Sequence, residues 1–127
     1  MDDDGPITVL LIEDDADTLE MYRLRLERDG YDVRTATDGE EGLARAVELR
    51  PDIVFLDIRL PKLDGLEVLG RLRENESTAQ IPVVVLSNYG EKDLIDRGQT
   101  LGALEFLVKA HTTPVDLSEG IDEWLKE

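Results

Sequence analysis

The stretch Ile7-Thr8-Val9-Leu10-Leu11-Ile12-Glu13-Asp14-Asp15 begins as an apolar, largely β-branched run with no amphipathic period and breaks abruptly into three acids. Apolar residues at odd and even positions alike are what a strand covered on both faces requires, and such strands belong to parallel sheets flanked by helices. The acids then stand at the carboxyl end of the strand, where open parallel sheets bind their ligands.

The same alternation runs through the rest of the chain. From about Ala16 to Asp29, Leu19, Tyr22 and Leu26 recur at helical spacing among charges, with Gly30 as a stop signal. Asp15 reads as the residue that starts this helix rather than as a ligand. Tyr31 to Ala36 reads as a second strand. Asp38, with Glu41 three residues on, caps a helix whose inner face carries Leu43, Ala46 and Val47. Asp52 to Leu56 is a third strand, Leu66 to Leu72 a helix, Ile81 to Leu86 a fourth strand and Glu91 to Leu101 a weaker helix. Ala103 to Val108 gives a fifth strand and Val115 to Leu125 a last helix, with Leu117, Ile121 and Trp124 or Leu125 inward. Pro61 and Gly65 read as turn formers. Five strand-helix units on short connections predict an α/β fold with a five-stranded parallel sheet, doubly wound. Residues 1–6 form an acidic tail and 7–127 the folded domain.

Polar residues mark four of the predicted strand ends: Glu13-Asp14-Asp15, Asp57, Ser87 and Lys109. Carboxylates crowded into one crevice repel each other unless a cation neutralises them. Oxygen donors without thiolates favour magnesium.

These residues lie within Leu11-Ile12-Glu13-Asp14-Asp15, Val54-Phe55-Leu56-Asp57-Ile58-Arg59-Leu60-Pro61 with Asp64-Gly65, Val84-Val85-Leu86-Ser87 and Phe106-Leu107-Val108-Lys109. Four such motifs in order, each at a strand end, resemble the CheY-like receiver domains of two-component response regulators over essentially the whole chain. The resemblance implies a flavodoxin-like (βα)5 fold with strand order 2-1-3-4-5. It implies Asp57 as phosphoacceptor, taking a phosphoryl group from a histidine kinase or phosphotransfer protein. It further implies Mg2+ (Mn2+ as the alternative) held by Asp14, Asp57, the backbone carbonyl of Arg59 and, through water, Glu13. Lys109 corresponds to the phosphate-pairing lysine, Ser87 to the hydroxyl that moves toward the phosphoryl group, and Phe106 to the switch aromatic. The readout surface is then helix four, strand five and helix five. Such a domain catalyses its own phosphorylation and slow aspartyl-phosphate hydrolysis without being an enzyme in the ordinary sense, and acts as a monomer or a phosphorylation-dependent dimer.

The match departs at Ala110, where the family most often has proline in a cis peptide. A cis bond to alanine costs roughly 2.5–4 kcal/mol, so this loop is either trans and differently routed or strained. Asn88 replaces a small residue, and Arg59 and Tyr89 occupy positions that tune hydrolysis in the family. His111 has no partner residues at motif spacing and reads as a surface residue. Two other functions compete. A receiver-shaped interaction module that is never phosphorylated leaves the acids, Ser87 and Lys109 unexplained. A haloacid-dehalogenase-type hydrolase wants Asp-x-Asp-x-Thr after strand one, and Asp15-Ala16-Asp17-Thr18 misses that spacing by one residue. The end at Glu127, directly after the last helix, suggests a stand-alone receiver without a DNA-binding output domain.

The 127 residues include 30 acids against 14 Lys and Arg, a formal charge of −16. A field of that sign repels nucleic acid and anionic lipid. No cysteine is present, which excludes disulfides and thiolate metal sites and fits a reducing, cytoplasmic setting. No apolar run is long enough for a membrane span. A solvated acidic surface accounts for the charge, and adaptation to high salt is the alternative. Melting curves at low and high potassium chloride separate them: salt adaptation requires a melting temperature that climbs as ions screen the self-repulsion, and a flat response removes it.

Overall fold

In the computed structural model, which describes residues 5–88 and 92–126, the chain alternates strand and helix from end to end. The order is β1 (Thr8–Ile12), α1 (Ala16–Arg28), β2 (Asp32–Ala36), α2 (Gly39–Leu49), β3 (Ile53–Asp57), α3 (Gly65–Glu74), β4 (Val83–Ser87), α4 (Lys92–Thr100), β5 (Glu105–Val108) and α5 (Pro114–Trp124). A three-residue 3-10 turn, Lys109–His111, joins β5 to α5. All strand pairs are parallel, in the order β2-β1-β3-β4-β5. This is the predicted doubly wound, flavodoxin-like sheet. The reversal of strand order falls between β1 and β3, beside the acids.

Helix starts are fixed by short acceptor side chains. Asp15 accepts from the Thr18 amide, Asp38 from Glu41, Asp64 from Glu67, and Thr113 forms a reciprocal capping box with Asp116. Glu41 does not close the box with Asp38; its carboxylate accepts from the Thr37 amide instead. Three of the acids in this acidic chain therefore satisfy the open N–H groups of helix termini, where negative charge is favoured. α1 ends at the Asp29 cap, and Gly30 takes φ +97°, the left-handed turn expected there.

The pleat divides the apolar side chains of the sheet into two cores. Leu10, Ile12, Val54, Leu56, Val83 and Val85 face α2, α3 and α4, meeting Ala46, Leu66, Leu69 and Leu72. Val9, Leu11, Ile53, Phe55, Val84 and Leu86 face α1 and α5, meeting Tyr22, Leu26, Leu117 and Ile121. Both Trp124 and Leu125 pack on this second core, and Trp124 meets Phe55 edge-on with ring centroids 5.8 Å apart.

Several element bounds differ from the sequence reading. β3 runs to Asp57 and β4 to Ser87, so both polar residues end their strands rather than follow them. β5 starts two residues later than expected, at Glu105. Gly65 is not a turn residue but the first residue of α3. Residues 1–4 of the acidic tail, together with Tyr89 and Glu91, lie outside the described residues.

At the far end of α3, Arg73 donates to the carbonyls of Ala79, Ile81 and Gly102 at 3.1, 2.9 and 2.9 Å. One guanidinium thus ties α3 to the α3–β4 loop and to the α4–β5 corner. Burial lowers its pKa, and the carbonyl dipoles supply the partners that make burial tolerable.

Leu56 lies wholly buried in the middle of β3. Truncation by Leu56→Ala removes its contacts and leaves a cavity that flanking strands cannot close. It should destabilise the chain by about 2–5 kcal/mol, read as a lower urea midpoint with an unchanged slope.

Candidate functional site

Period-two pleating brings the site together. Glu13, Asp57 and Lys109 each follow by two positions a residue of the α1/α5 core, namely Leu11, Phe55 and Leu107. Their side chains extend that apolar face past the rim of the sheet, where the core gives way to charge. The Glu13 amide donates to the Ala36 carbonyl at 3.0 Å, which continues the β1–β2 ladder one residue beyond the strand and holds Glu13 in place. Ser87 and Phe106 have the opposite parity: Ser87 follows Val85 by two positions, Val85 pairs with Phe106, and both belong to the α2/α3/α4 core. The charged trio and the Ser87–Phe106 pair therefore sit on opposite faces of one sheet and meet at its edge.

Glu13 and Asp57 are buried and Asp14 is exposed, yet one carboxylate oxygen from each lies within 4.8 Å of the others. The Lys109 ammonium bridges the buried pair, 2.5 Å from Glu13 Oε1 and 3.3 Å from Asp57 Oδ2. Glu13 Oε2 accepts from the Asp15 amide at 3.0 Å, so both oxygens of Glu13 are engaged by the protein. The backbone amide of Arg59 hydrogen-bonds the Asp57 carboxylate. α3 closes the floor beneath it: the Gly65 amide donates to the Ile58 carbonyl at 2.8 Å. A Cβ on Gly65 would stand 2.2 Å from the Asp57 carbonyl oxygen, so only glycine permits this approach. The sequence reading missed this contact because a glycine after proline looks like a turn.

Burial pushes the Asp57 carboxyl up to about 6, and the charge of Glu13 adds to the rise, while Lys109 and the Arg59 amide pull against it. Burial alone would lower Lys109, but its hydrogen bond to Glu13 and the charges of Asp57 and Glu13 outweigh that and hold it above the usual lysine value. One ammonium, paired most closely with Glu13, thus leaves Asp57 undercompensated. An oxygen-only donor set, two members buried and one facing solvent, fits a hard dication that retains water.

The remaining predicted residues fall as follows. Ser87 is fully buried at the end of β4, and Asn88 beside it is exposed. Phe106 is half-buried, with Gly98 of α4 directly against its ring. The peptide between Lys109 and Ala110 is trans, which settles the alternative left open by the missing proline. His111 is exposed, as a surface residue should be. Tyr22 and Thr112 were not singled out by sequence. Tyr22 is buried, and its hydroxyl donates to the Thr112 carbonyl at 3.2 Å, next to the Lys109 turn. A tyrosine on the inner face of a helix needs such a partner, and that was the available signal.

Comparison with known proteins covers the same stretch of chain. The family model for the response regulator receiver domain matches residues 9–121. The DNA-binding dual master transcriptional regulator RpaA of Synechocystis is 42% identical over 111 residues, 87% of this chain and 44% of that protein. A protein-glutamate methylesterase/protein-glutamine glutaminase of Myxococcus xanthus is 37% identical over 124 residues, 95% of this chain and 35% of that protein. The chain spans less than half the length of these curated relatives. Among solved structures, a CheY-like receiver domain protein from Methanospirillum hungatei superposes with a TM-score of 0.88 at 26% identity, covering 95% of this chain and 94% of its own. CheY in the CheX-CheY-BeF3-Mg+2 complex from Borrelia burgdorferi gives 0.87 at 26%, covering 97% and 92%.

The raised Asp57 carboxyl has a thermodynamic consequence. Relative to an ordinary value of 3.8, the folded chain binds this proton more tightly than the unfolded chain, so stability from this residue declines as pH rises from about 4 to about 6 and stays reduced above that. Asp57→Asn keeps the shape and removes the charge. In metal-free buffer the variant should be more stable than the parent at about pH 7.5, with the gap closing by about pH 4.5, as measured by paired urea midpoints. Titration of the many surface carboxylates cancels in that comparison.

Proposed function

The chain belongs to the response regulator receiver domain family, and on that premise we propose that Asp57 accepts a phosphoryl group and that its phosphorylation switches a protein-binding surface. The observation that carries this reading is a buried, proton-hungry carboxylate within 3.3 Å of a lysine ammonium and beside two further acids. A carboxylate desolvated beside a second acid and a shared cation is the arrangement by which functional sites shift a pKa.

The reaction is in-line displacement. An Asp57 oxygen attacks phosphorus, an acyl phosphate forms, and the bond from phosphorus to the donor's nitrogen or oxygen breaks, the leaving group keeping the electron pair. Donors are a phosphohistidine on a histidine kinase or phosphotransfer protein, and small acyl phosphates. Asp14, Asp57 and the Arg59 carbonyl would hold Mg2+, or Mn2+ in its place, and Glu13, whose oxygens are both already engaged, would act through water. When bound, the dication offsets the repulsion between carboxylates and phosphate and stabilises charge spreading over the transferring group. The presence of BeF3 and Mg+2 in the named complex of the Borrelia burgdorferi relative supports this choice of metal.

Lys109 already spans Glu13 and Asp57, so a small side-chain rotation transfers its ammonium from carboxylate to phosphoryl oxygen. Ser87, at the end of the neighbouring strand, offers its hydroxyl to another. Phe106 then turns inward on the opposite face, and the α4–β5–α5 surface changes for a partner. Gly98 lets the Phe106 ring lie close against α4, where a Cβ would stand 3.3 Å from the ring.

Intact-mass analysis after incubation with acetyl phosphate and magnesium tests the assignment. The parent chain should gain the mass of one phosphoryl group. Asp57→Asn, or parent protein with EDTA, should gain none. Labelling that survives in Asp57→Asn assigns the acceptor elsewhere, and a parent chain that never labels favours a phosphorylation-independent interaction module.

A further inference from the structure

Lys109 is useful only if its ammonium lies between Glu13 and Asp57, yet it sits on a long flexible stem, so its placement depends on how firmly its backbone is held. It opens a turn of only three residues, Lys109–His111, and both Ala110 and His111 are exposed and bring little packing. What closes the turn is Thr112. Its amide donates to the Lys109 carbonyl at 3.1 Å, and its hydroxyl donates to the Val108 carbonyl at 2.9 Å. Thr112 is itself buried and tied to α1, because the Tyr22 hydroxyl donates to its carbonyl at 3.2 Å across 90 positions of sequence.

The chain of contacts runs from a rigid helix to the site: Tyr22 to Thr112, Thr112 to the peptide groups on both sides of Lys109, Lys109 to Glu13 and Asp57. Tyr22 lies on the same face of the sheet as the charged trio, with its ring buried within the core formed by Val9, Leu11 and Phe55. A phenylalanine there would fill the same space and leave the Thr112 carbonyl without its donor. The hydroxyl is therefore separable from the packing.

We propose that Tyr22 is a positioning residue for Lys109: through the Thr112 carbonyl its hydroxyl fixes the turn that carries the lysine, and so sets the rate at which Asp57 takes up phosphate. This rests on the phosphoacceptor reading of the site and adds to it a residue that touches neither phosphate nor metal. Small displacements of a charge aimed at a transition state are costly, because the interaction exists only when the geometry is met.

The experiment compares initial rates of labelling by acetyl phosphate, with saturating magnesium, in Tyr22→Phe, Lys109→Ala and the double variant. Tyr22→Phe should lower the maximal rate about 3- to 10-fold with little change in the acetyl phosphate concentration giving half that rate. In the Lys109→Ala background the same substitution should change nothing further, since its effect passes through the lysine. If the Lys109→Ala rate is too small to divide, Thr112→Val decides: it removes the hydroxyl tie to Val108, should slow labelling similarly, and should combine with Tyr22→Phe less than multiplicatively. Amide hydrogen exchange gives an independent reading, with the Thr112 amide exchanging faster in Tyr22→Phe while β1 and β3 stay protected. An unaltered rate in Tyr22→Phe, or an equal loss with and without Lys109, overturns the proposal. A parent chain that takes no label overturns the phosphoacceptor reading first, and this inference with it.

Discussion

Two carboxylates, Glu13 and Asp57, are withdrawn from water at the rim of a parallel sheet and share a single ammonium. Everything distinctive about the chain is arranged around that imbalance. Burial penalises the Asp57 anion, the charge of Glu13 adds to the penalty, and Lys109 answers only part of it. Such a site is held in tension by its surroundings and is ready for a cation or for a change in charge at Asp57. The fold supplies the necessary stiffness through two cores, one on each face of the sheet, each closed by helices, of which α1, α2, α3 and α5 have individually capped starts.

The pleat also explains how a charge event on one face is felt on the other. Glu13, Asp57 and Lys109 prolong the α1/α5 face; Ser87 and Phe106 belong to the α4 face. Asp57 pairs with Leu86 in the β3–β4 ladder, so Ser87 is the next residue along the neighbouring strand. One peptide group separates the side on which chemistry is proposed from the side on which it would be read out.

Much of this was legible in the residues themselves. Unbroken apolar runs at Val9 to Ile12 and Ile53 to Leu56 announce strands buried on both faces, and polar residues at their ends announce the rim. The ends of β3 and β4 shifted by one residue because Asp57 and Ser87, though polar, keep ladder pairing that apolar periodicity does not register. Gly65 and Tyr22 were harder. The first is a glycine because a backbone oxygen from a residue eight positions earlier comes too close for any side chain, and the second carries a hydroxyl whose acceptor lies 90 positions away. Both contacts join residues that are apart in sequence; an inward tyrosine signals that its hydroxyl needs a partner, but no local pattern names that partner. The Lys109–Ala110 peptide is trans, the form that a bond to alanine favours by roughly 2.5–4 kcal/mol, and what the residues alone could not show is how Thr112 then closes the turn.

The guanidinium of Arg73 gives the sheet's far edge a mechanical character. By gripping the Gly102 carbonyl it anchors the corner after α4 to the end of α3. α4 has nine residues, so it is a rod of about 13 Å fastened at its carboxyl end. A rod held at one end pivots instead of sliding, and a tilt of about 10° there carries the free end by about 2 Å. Were Ser87 to move as proposed, leverage of that kind would turn a side-chain-sized push into a change in the outline of the molecule, with the sheet beneath it left undisturbed.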